Sequence, residues 1–409
     1  MAALEERLAS LYASLASIGR AESSGGYRRY AWTTADLELR AWFRAQAESR
    51  GLEYSQDRNA NQWAWWGRPG PGAVVTGSHL DSVPDGGAYD GPLGIVSAFL
   101  AVDELRERCL TPARPLAVMN LADEEGTRFG VACVGSRLLT GLLDPDAARE
   151  LRDADGVSLA EAMQAAGSDP TSLGRDDEAL DRIGVFVELH IEQGRGLVDL
   201  GAPVGVATAI WPHGRWRFNF AGEANHAGTT KLEDRRDPML AFAKAILAAR
   251  GVAAEAGALA TFGKVRVRPN GTNAIASSVD AWLDARAPTD DTLRAVVADI
   301  TAATAPGAAA HRVTLTVTSE SRTPMVAFDA GLRDRLSGVL GGAPALPTGA
   351  GHDAGILAPH VPSGMLFVRN PTGISHSPAE HAEHADCVAG VHALAAVLAD
   401  LCSHNLVFR

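Results

Sequence analysis

Four short polar segments combine imidazole and carboxylate groups, the side chains that bind zinc and related divalent ions. In chain order the segments read GSHLDSVPDGGAYDGPLG, ADEEG, ELHIEQG and GISHSPAE. Their candidate groups are His79, Asp81, Asp90, Glu124, Glu125, His190, Gln193 and His376. A lone histidine is usually a surface or satisfied core residue, and an acidic pair is usually a solvated turn. Four such segments in one chain are hard to explain separately, and together they predict one site for divalent metal ions.

Each of the first three segments follows an apolar run with the length of a strand. These runs are 73–78, 115–121 and 185–191, and a helical stretch at 94–105 separates the first two. Strands that alternate with helices predict an α/β fold with a largely parallel sheet. In such sheets functional groups collect beyond the carboxyl ends of the strands, which is where the polar segments lie. The arrangement therefore predicts that the segments converge.

The part of the chain from 208 to 319 has a different character. Aromatic residues alternate with polar ones from 216 to 220, as in a strand with one solvent-facing side. The elements predicted after this strand are a helix at 238–254, strands at 260–267 and 277–287, a helix at 291–303 and a strand at 312–318. This β-α-β-β-α-β order is the split βαβ pattern. We therefore predict a separate domain at 208–319, inserted into a first domain made of 1–207 and 320–409.

The composition restricts the compartment and the partners. The formal net charge of the 409 residues is −12, which argues against nucleic acid and anionic lipid as partners. The four cysteines are scattered without a CxxC pair, so neither a disulfide framework nor a cysteine metal site is predicted. The N-terminal segment lacks the features of a signal peptide, and no apolar run reaches the roughly 18 residues of a membrane helix. We expect a cytoplasmic enzyme that acts on a small molecule.

The order and neighbours of the four segments resemble the family of N-carbamoyl-L-amino-acid hydrolases and allantoate amidohydrolases. That family belongs to the broad group of two-zinc aminoacylases and carboxypeptidases. The resemblance extends from GYRRYAWT, which begins at Gly26, through His376. Related aminoacylases and dipeptidases usually have a carboxylate where this chain has His190, so ELHIEQG favours the carbamoylase branch. The resemblance implies an aminopeptidase-like catalytic domain that binds two metals, with an inserted ferredoxin-like domain that serves as lid and dimer interface.

The resemblance also implies a role for each metal-site residue. Asp90 would bridge two divalent ions. His79 and His190 would complete one metal site. Glu125 and His376 would complete the other. Zinc is the first expectation for both ions, and manganese, cobalt and nickel stay open because they accept the same ligands.

Two further carboxylates are expected to act beside the metals without binding them. Glu124 is implied as the general base. Because the neighbouring Glu125 ligates a metal and fixes the backbone, Glu124 can reach the attacking water without occupying a ligand position. Asp81 is expected to orient His79 by contacting its imidazole, as carboxylates often do for ligating histidines.

By the same resemblance, the inserted domain supplies much of the substrate recognition. His226 in GEANHAGTT would donate to the oxyanion, from the partner subunit of a homodimer, although the sequence leaves its action within one subunit open. Arg286 would hold the carboxylate of an anionic substrate, because its planar fork suits that group. The other expected substrate contacts are Gln193, His213, Asn273 and His352.

Several activities are compatible with this pattern. Hydrolysis of allantoate or of an N-carbamoyl-L-amino acid is the first expectation. An N-formyl or N-acyl acidic amino acid, such as N-formylglutamate, is an alternative, because His213 and Arg369 stand where the family has neutral residues. A two-metal dipeptidase or aminoacylase is disfavoured by His190, and a metal-free binding protein is disfavoured because every expected ligand is present. The exact substrate, its stereochemistry and the native metal stay open.

Overall fold

The computed structural model describes residues 2–403, which form two compact units. Residues 2–208 and 327–403 make up the first unit, and residues 209–326 make up the second. The second unit ends later than the predicted 319 because its last strand continues to Thr323. Residue 1 and residues 404–409, which the predicted first domain includes, lie outside the described residues.

The first unit is built on a nine-stranded mixed sheet. Its strands are β1 (Glu53–Gln56), β2 (Gln62–Trp66), β3 (Ala73–His79), β4 (Leu116–Leu121), β5 (Ile183–Ile191), β6 (Val204–Ile210), β13 (Val326–Ala327), β14 (Ala345–Thr348) and β15 (Ser363–Val368). The order across the sheet is β1-β2-β4-β3-β5-β15-β6-β13, and β14 pairs with β6. The four central strands β4, β3, β5 and β15 run parallel, whereas β1, β2 and β6 join antiparallel. The predicted parallel arrangement is therefore confined to the centre of the sheet.

Helices bury the central strands of the first unit. They are α1 (Ala2–Leu15), α2 (Thr34–Ser49), α3 (Pro92–Glu107), α4 (Val134–Thr140), α5 (Pro145–Arg149), α6 (Leu159–Ala165), α7 (Asp177–Arg182), α8 (Gly196–Asp199), α11 (Ala330–Val339), α12 (Asp353–Leu357) and α13 (His384–Ser403). Every residue of β3, β4 and β15 is buried, as expected for strands covered on both faces. Helix α13 is long and apolar enough to cross a bilayer, but Leu394, Val397 and Leu398 are fully buried in the core. Its apolar character is therefore that of a core helix.

The second unit is a four-stranded antiparallel sheet with two long helices packed on one face. Its elements are β7 (His213–Ala221), β8 (Asn225–His226), α9 (Pro238–Glu255), β9 (Leu259–Arg268), β10 (Ala274–Ile275), β11 (Ser278–Arg286), α10 (Asp290–Ala310) and β12 (Thr314–Thr323). The sheet order is β12-β7-β11-β9, and β8 pairs with β10 in a separate short ribbon. Burial alternates along β11, so Leu283 packs beneath the helices while Trp282 and Asp284 lie on the open face. Apart from the ribbon, the elements follow the order β-α-β-β-α-β.

Candidate metal centre

The expected metal ligands lie at the carboxyl ends of the parallel strands. His79 is the last residue of β3, and Glu125 follows β4. His190 is the last residue but one of β5, and His376 follows β15. Asp90 precedes α3. The parallel sheet thus brings together side chains that are far apart in the sequence.

The turn that carries Asp90 requires a glycine at the next position. Gly91 has a φ of +83°, in the left-handed region that L side chains rarely adopt. A Cβ at this position would lie 2.5 Å from the imidazole of His79. The backbone of the turn therefore passes against His79 and places Asp90 beside it.

Asp90 stands between two groups of potential metal ligands. Its Oδ1 lies 3.5 Å from His79 Nε2 and 3.2 Å from His190 Nε2, and we call these three residues site A. Its Oδ2 lies 3.4 Å from His376 Nε2, which is 3.8 Å from Glu125 Oε1, and Asp90, Glu125 and His376 form site B. One oxygen of the Asp90 carboxylate faces each site, as a bridging ligand requires.

The buried atoms that face these sites lack protein partners. Within the described chain, His79 Nε2, His190 Nε2 and Glu125 Oε1 have no hydrogen-bond partner. A buried polar atom without a partner costs about 1–3 kcal/mol. Three such atoms pointing toward one carboxylate indicate that cations complete the arrangement, so these residues fit two metal ions.

The backbone fixes the direction of both buried imidazoles. His79 Nδ1 lies 3.1 Å from the carbonyl oxygen of Asp81, and His190 Nδ1 lies 2.9 Å from that of Ile191. An Nδ1–H that donates to a carbonyl leaves the lone pair on Nε2. Both Nε2 atoms are therefore presented to Asp90 in the state that binds metal.

The Asp81 carboxylate supports the acidic loop as well as His79. Its Oδ1 lies 3.4 Å from His79 Nδ1. The same Oδ1 accepts the N–H of Glu124 at 3.1 Å, and Oδ2 accepts the N–H of Glu125 at 3.0 Å. Asp81 thus holds the backbone of the two adjacent glutamates, a contact that the sequence did not predict.

Several buried carboxylates crowd the centre, and their surroundings shift their pKa values. Burial raises the pKa of Glu124 well above its usual range, and burial together with the charge of Asp90 raises the pKa of Glu125 to about 8. Burial also disfavours charge on Asp90, but the nearby imidazoles of His190 and His79 outweigh it and hold the pKa of Asp90 well below its usual range. A bound cation stabilises the ionised form of every one of these carboxylates. The electrostatics of the centre therefore suit a cationic cofactor.

Glu124 lies at the edge of site A with its two oxygens in different environments. Its Oε1 is 3.4 Å from Sγ of the buried Cys133, whose S–H donates to it. Its Oε2 is 3.8 Å from His79 Nε2 and faces the metal ligands. Since the thiol holds one oxygen in place, the other is directed toward the centre without taking part in site B.

Two expected substrate contacts of the first unit also reach the centre. Gln193 Nε2 donates to Asp90 Oδ2 at 2.9 Å and lies 3.2 Å from His376 Nε2. His352 is buried edge-on against His190, with the ring centroids 4.5 Å apart. Burial lowers the pKa of His352 well below its usual range, so an uncharged imidazole packs against His190 at this side of the centre.

Residues 75–400 match the model of peptidase family M20/M25/M40. The chain belongs to this family. It is 37% identical to an N-carbamoyl-L-amino acid amidohydrolase of Geobacillus stearothermophilus over 95% of this chain and 96% of that protein. It is 35% identical to an allantoate amidohydrolase of Escherichia coli strain K12 over 95% of each. A solved amidase of the hydantoinase/carbamoylase family from Burkholderia multivorans superimposes with a TM-score of 0.87 at 28% identity, over 98% of both chains.

These similarities confirm the resemblance inferred from the four polar segments. Members of the M20 family are metal-dependent, in agreement with the clustered histidines and carboxylates of sites A and B. The large mixed sheet with mixed α/β content is the fold of this family.

The expected substrate contacts in the second unit of this M20 chain form two separate pairs. His213 and Arg286 are opposite each other on β7 and β11. The Nε of Arg286 donates to Asp284 Oδ1 at 2.9 Å. His226 and Asn273 come together at the β8–β10 ribbon, where the N–H of Ala227 donates to the carbonyl of Asn273 at 2.9 Å.

His226 has a tautomer that its own loop determines. The backbone N–H groups of Gly228 and Thr229 donate to its Nδ1 at 3.0 and 3.2 Å. An Nδ1 that accepts hydrogen bonds carries no proton, so the proton of the neutral ring is on Nε2. The exposed His226 therefore presents a donor, which is the property required of a group that stabilises an oxyanion.

Arg369 and His213, the two residues behind the acidic-substrate hypothesis, each have a partner within their own unit. Arg369 forms a bidentate pair with the buried Asp386, and both bonds are 2.8 Å long. Burial lowers the pKa of His213, and its Nδ1 contacts the carbonyl of Trp211 at 3.1 Å. Arg369 is thus neutralised and His213 is uncharged near neutral pH. These contacts do not favour the acidic-substrate hypothesis, which stays an untested alternative.

The structure adds polar residues that the sequence analysis did not select. Glu188 is fully buried and accepts from Ser78 Oγ at 2.9 Å and from the N–H of Ala354 at 3.1 Å. It lies two positions before His190 on the same face of β5, so the alternation along this strand was a usable signal. Glu380 and Ser375 contact the Asp90 segment, and no spacing in the sequence marks them.

Proposed function

We propose that this M20 protein is a two-metal amidohydrolase that cleaves the linear ureido C–N bond of an N-carbamoyl-type amino acid. Allantoate and N-carbamoyl-L-amino acids are the proposed substrates. The observation that carries the proposal is the position of Asp90, with one carboxylate oxygen facing site A and the other facing site B. The names of the relatives at 37% and 35% identity support the substrate class. The cytoplasm is the proposed compartment.

The proposed metal ligands divide evenly between the two sites. His79 and His190 would hold the ion of site A together with Asp90 Oδ1. Glu125 and His376 would hold the ion of site B together with Asp90 Oδ2. Zinc is the proposed metal, because imidazole nitrogen and carboxylate oxygen in small numbers suit its coordination.

The metal ions, when bound, polarise the substrate carbonyl and lower the pKa of water to near neutrality. Glu124 Oε2, the oxygen that Cys133 does not hold, accepts the proton of the attacking water. The water oxygen adds to the carbamoyl carbon, and the C–N bond breaks. Glu124 then returns the proton to the leaving nitrogen. The products are the free amine and carbamate, which decomposes to ammonia and carbon dioxide.

Substrate recognition is assigned to donors of the second unit. Arg286 would bind the substrate carboxylate, because Asp284 holds its guanidinium and a planar fork pairs well with that group. His226 would donate its Nε2–H to the oxyanion, and removing such a donor typically costs about 3–4 kcal/mol in the barrier. Asn273, beside His226 at the ribbon, would add a neutral amide contact.

We also propose a homodimer formed through the second unit. Helix α9 exposes Leu240, Ile246 and Leu247, with Leu247 74% exposed. The neighbouring β9 is an edge strand of ten residues that exposes Leu259 and Val265. An exposed apolar face beside a long unpaired strand edge favours pairing with a second copy. In a dimer of this kind, His226 would act from the partner subunit.

Sedimentation analysis tests the dimer. The wild type should sediment as a dimer at micromolar concentration, and Leu247→Lys should shift it toward monomer. Leu200→Lys is a matched control, because Leu200 is 56% exposed but lies in the first unit. A monomeric wild type would contradict the proposed interface.

A metal analysis and a substrate panel together test the catalytic proposal. The purified protein should contain two equivalents of metal by mass spectrometry. Ammonia and amine release should be fastest with allantoate or an N-carbamoyl-L-amino acid, and slower with N-formyl, N-acetyl and dipeptide substrates. Two bound metals with a preference for dipeptides would identify a peptidase instead. Absence of metal binding would refute the whole mechanism.

A further inference from the structure

A buried carboxylate outside both metal sites contacts the backbone that carries Asp90. Glu380 is 5% exposed. Its Oε1 accepts the N–H of Tyr89 at 2.9 Å and the N–H of Asp90 at 3.0 Å. One bond therefore holds the backbone of Asp90, which faces sites A and B, and the other holds the residue before it.

The other oxygen of Glu380 connects to the same centre through a hydroxyl. Ser375 Oγ lies 3.4 Å from Glu380 Oε2 and 3.3 Å from Asp90 Oδ2. Ser375 immediately precedes His376, and the N–H of Glu380 donates to the carbonyl of Ser377 at 3.0 Å. One short segment therefore presents His376 and contacts both the backbone and the carboxylate of Asp90.

The Asp90 segment packs on Glu380 without space for a side chain between them. A Cβ on Gly87 would lie 2.4 Å from the Glu380 carboxylate. Placing one more carboxylate against Asp90 is electrostatically unfavourable, since both are acidic and buried. The contacts explain its presence, because no neutral apolar side chain could accept the two backbone N–H groups.

We propose that Glu380 is a positioning residue for the two-metal centre, which fixes the backbone of Asp90 so that one carboxylate oxygen faces each site. The inference rests on the proposed metal centre. Glu380 binds no metal in this arrangement. Its effect depends on where its oxygens lie, and the negative charge itself is dispensable.

Two conservative variants separate position from charge. Glu380→Gln keeps an oxygen that can accept both N–H groups and removes the charge. Glu380→Asp keeps the charge and withdraws the oxygens by one methylene. The probe is zinc affinity of the purified full-length protein, measured by competition with a chromophoric chelator, together with the melting temperature of the metal-free and metal-loaded forms.

We expect Glu380→Asp to weaken zinc binding about 10- to 100-fold, the range typical of lost outer-shell support. Glu380→Gln should stay within about threefold of the wild type, since the acceptor geometry is kept. The melting-temperature gain on zinc binding should shrink in Glu380→Asp and persist in Glu380→Gln. Ser375→Ala, which removes only the connecting hydroxyl, should weaken binding by a smaller factor.

The matched control is Glu104→Asp, because Glu104 is also buried and contacts the Nδ1 of His392 at 3.0 Å, while it lies within α3. This control should lower the melting temperature without changing zinc affinity. Unchanged zinc affinity in Glu380→Asp, or an equal loss in Glu380→Gln, would overturn the positioning role. If the wild type itself bound no zinc, the proposed function would fail instead, which keeps the two failures distinct.

Discussion

Adjacent glutamates with different proposed roles provide the most direct test of the mechanism. Glu124→Gln removes the base while its amide oxygen can still accept the S–H of Cys133. Glu125→Gln removes an oxygen from site B. The two variants make the same chemical change at neighbouring positions of one loop, so each is the control for the other.

The structure sets the expected size of each effect. Loss of a general base typically lowers the rate by about 10²- to 10⁴-fold, or about 3–5 kcal/mol in the barrier. Because the proposal assigns Glu124 to neither site A nor site B, Glu124→Gln should keep both metals and an unchanged KM. Glu125→Gln should retain about one metal, because Asp90 and His376 alone leave site B with fewer ligands than structural or catalytic zinc normally has.

The assay combines metal analysis with steady-state kinetics on the best substrate of the panel. Ammonia release gives kcat and KM, and mass spectrometry of the same dialysed samples gives metal content. A Glu124→Gln variant that retains more than about a tenth of the wild-type kcat would refute the base assignment, given the usual contribution of a general base. A variant that loses metal would show that Glu124 is a ligand.

Three further changes test other parts of the site. Arg286→Ala should raise KM and lower kcat/KM by about 30-fold or more, as expected for a lost charge-assisted pair of about 2–3 kcal/mol, with Arg286→Lys intermediate in the same kinetic assay. Asp81→Asn should lower both metal retention and kcat, because the asparagine NH2 group would face the N–H of Glu124 or Glu125. Normal metal content and kcat would show that those contacts are unimportant. Arg369→Ala should reduce the melting temperature, because it leaves the buried charge of Asp386 without its partner. The ratio of rates on allantoate and N-carbamoylglutamate should stay unchanged. A changed ratio would indicate that Arg369 contacts the substrate.

The sequence was most informative where chemistry and periodicity coincide. The polar segments of His79 and His190 follow apolar strands, so their position at the carboxyl edge of the sheet could be anticipated. The alternating aromatic residues of β7 likewise indicated a sheet with one covered face. These features are local, which is why one sequence suffices to predict them.

Long-range partners could not be anticipated in the same way. The pairing of Arg369 with Asp386 and the contact of Glu380 with Asp90 depend on how loops meet after folding. An arginine in a polar segment suggested a substrate contact, yet a buried carboxylate on α13 accounts for it. The antiparallel edges of the sheet were also missed, because β1 and β2 are too short to show a clear alternation.

The position of β15 has a consequence for how the chain is made. This strand lies between β5 and β6, which precede it in the sequence by the whole of the second unit. During synthesis, β5 and β6 leave the ribosome before the strand that pairs with both. At about 5–20 residues per second, the strand edges that pair with β15 stay unpaired for roughly 10 to 30 s. The last strand of the second unit, β12, precedes β15 in the sequence, so this unit can complete its sheet first. We therefore expect nascent chains to carry a folded insertion and an open first unit, and to capture metal only as the last strand arrives.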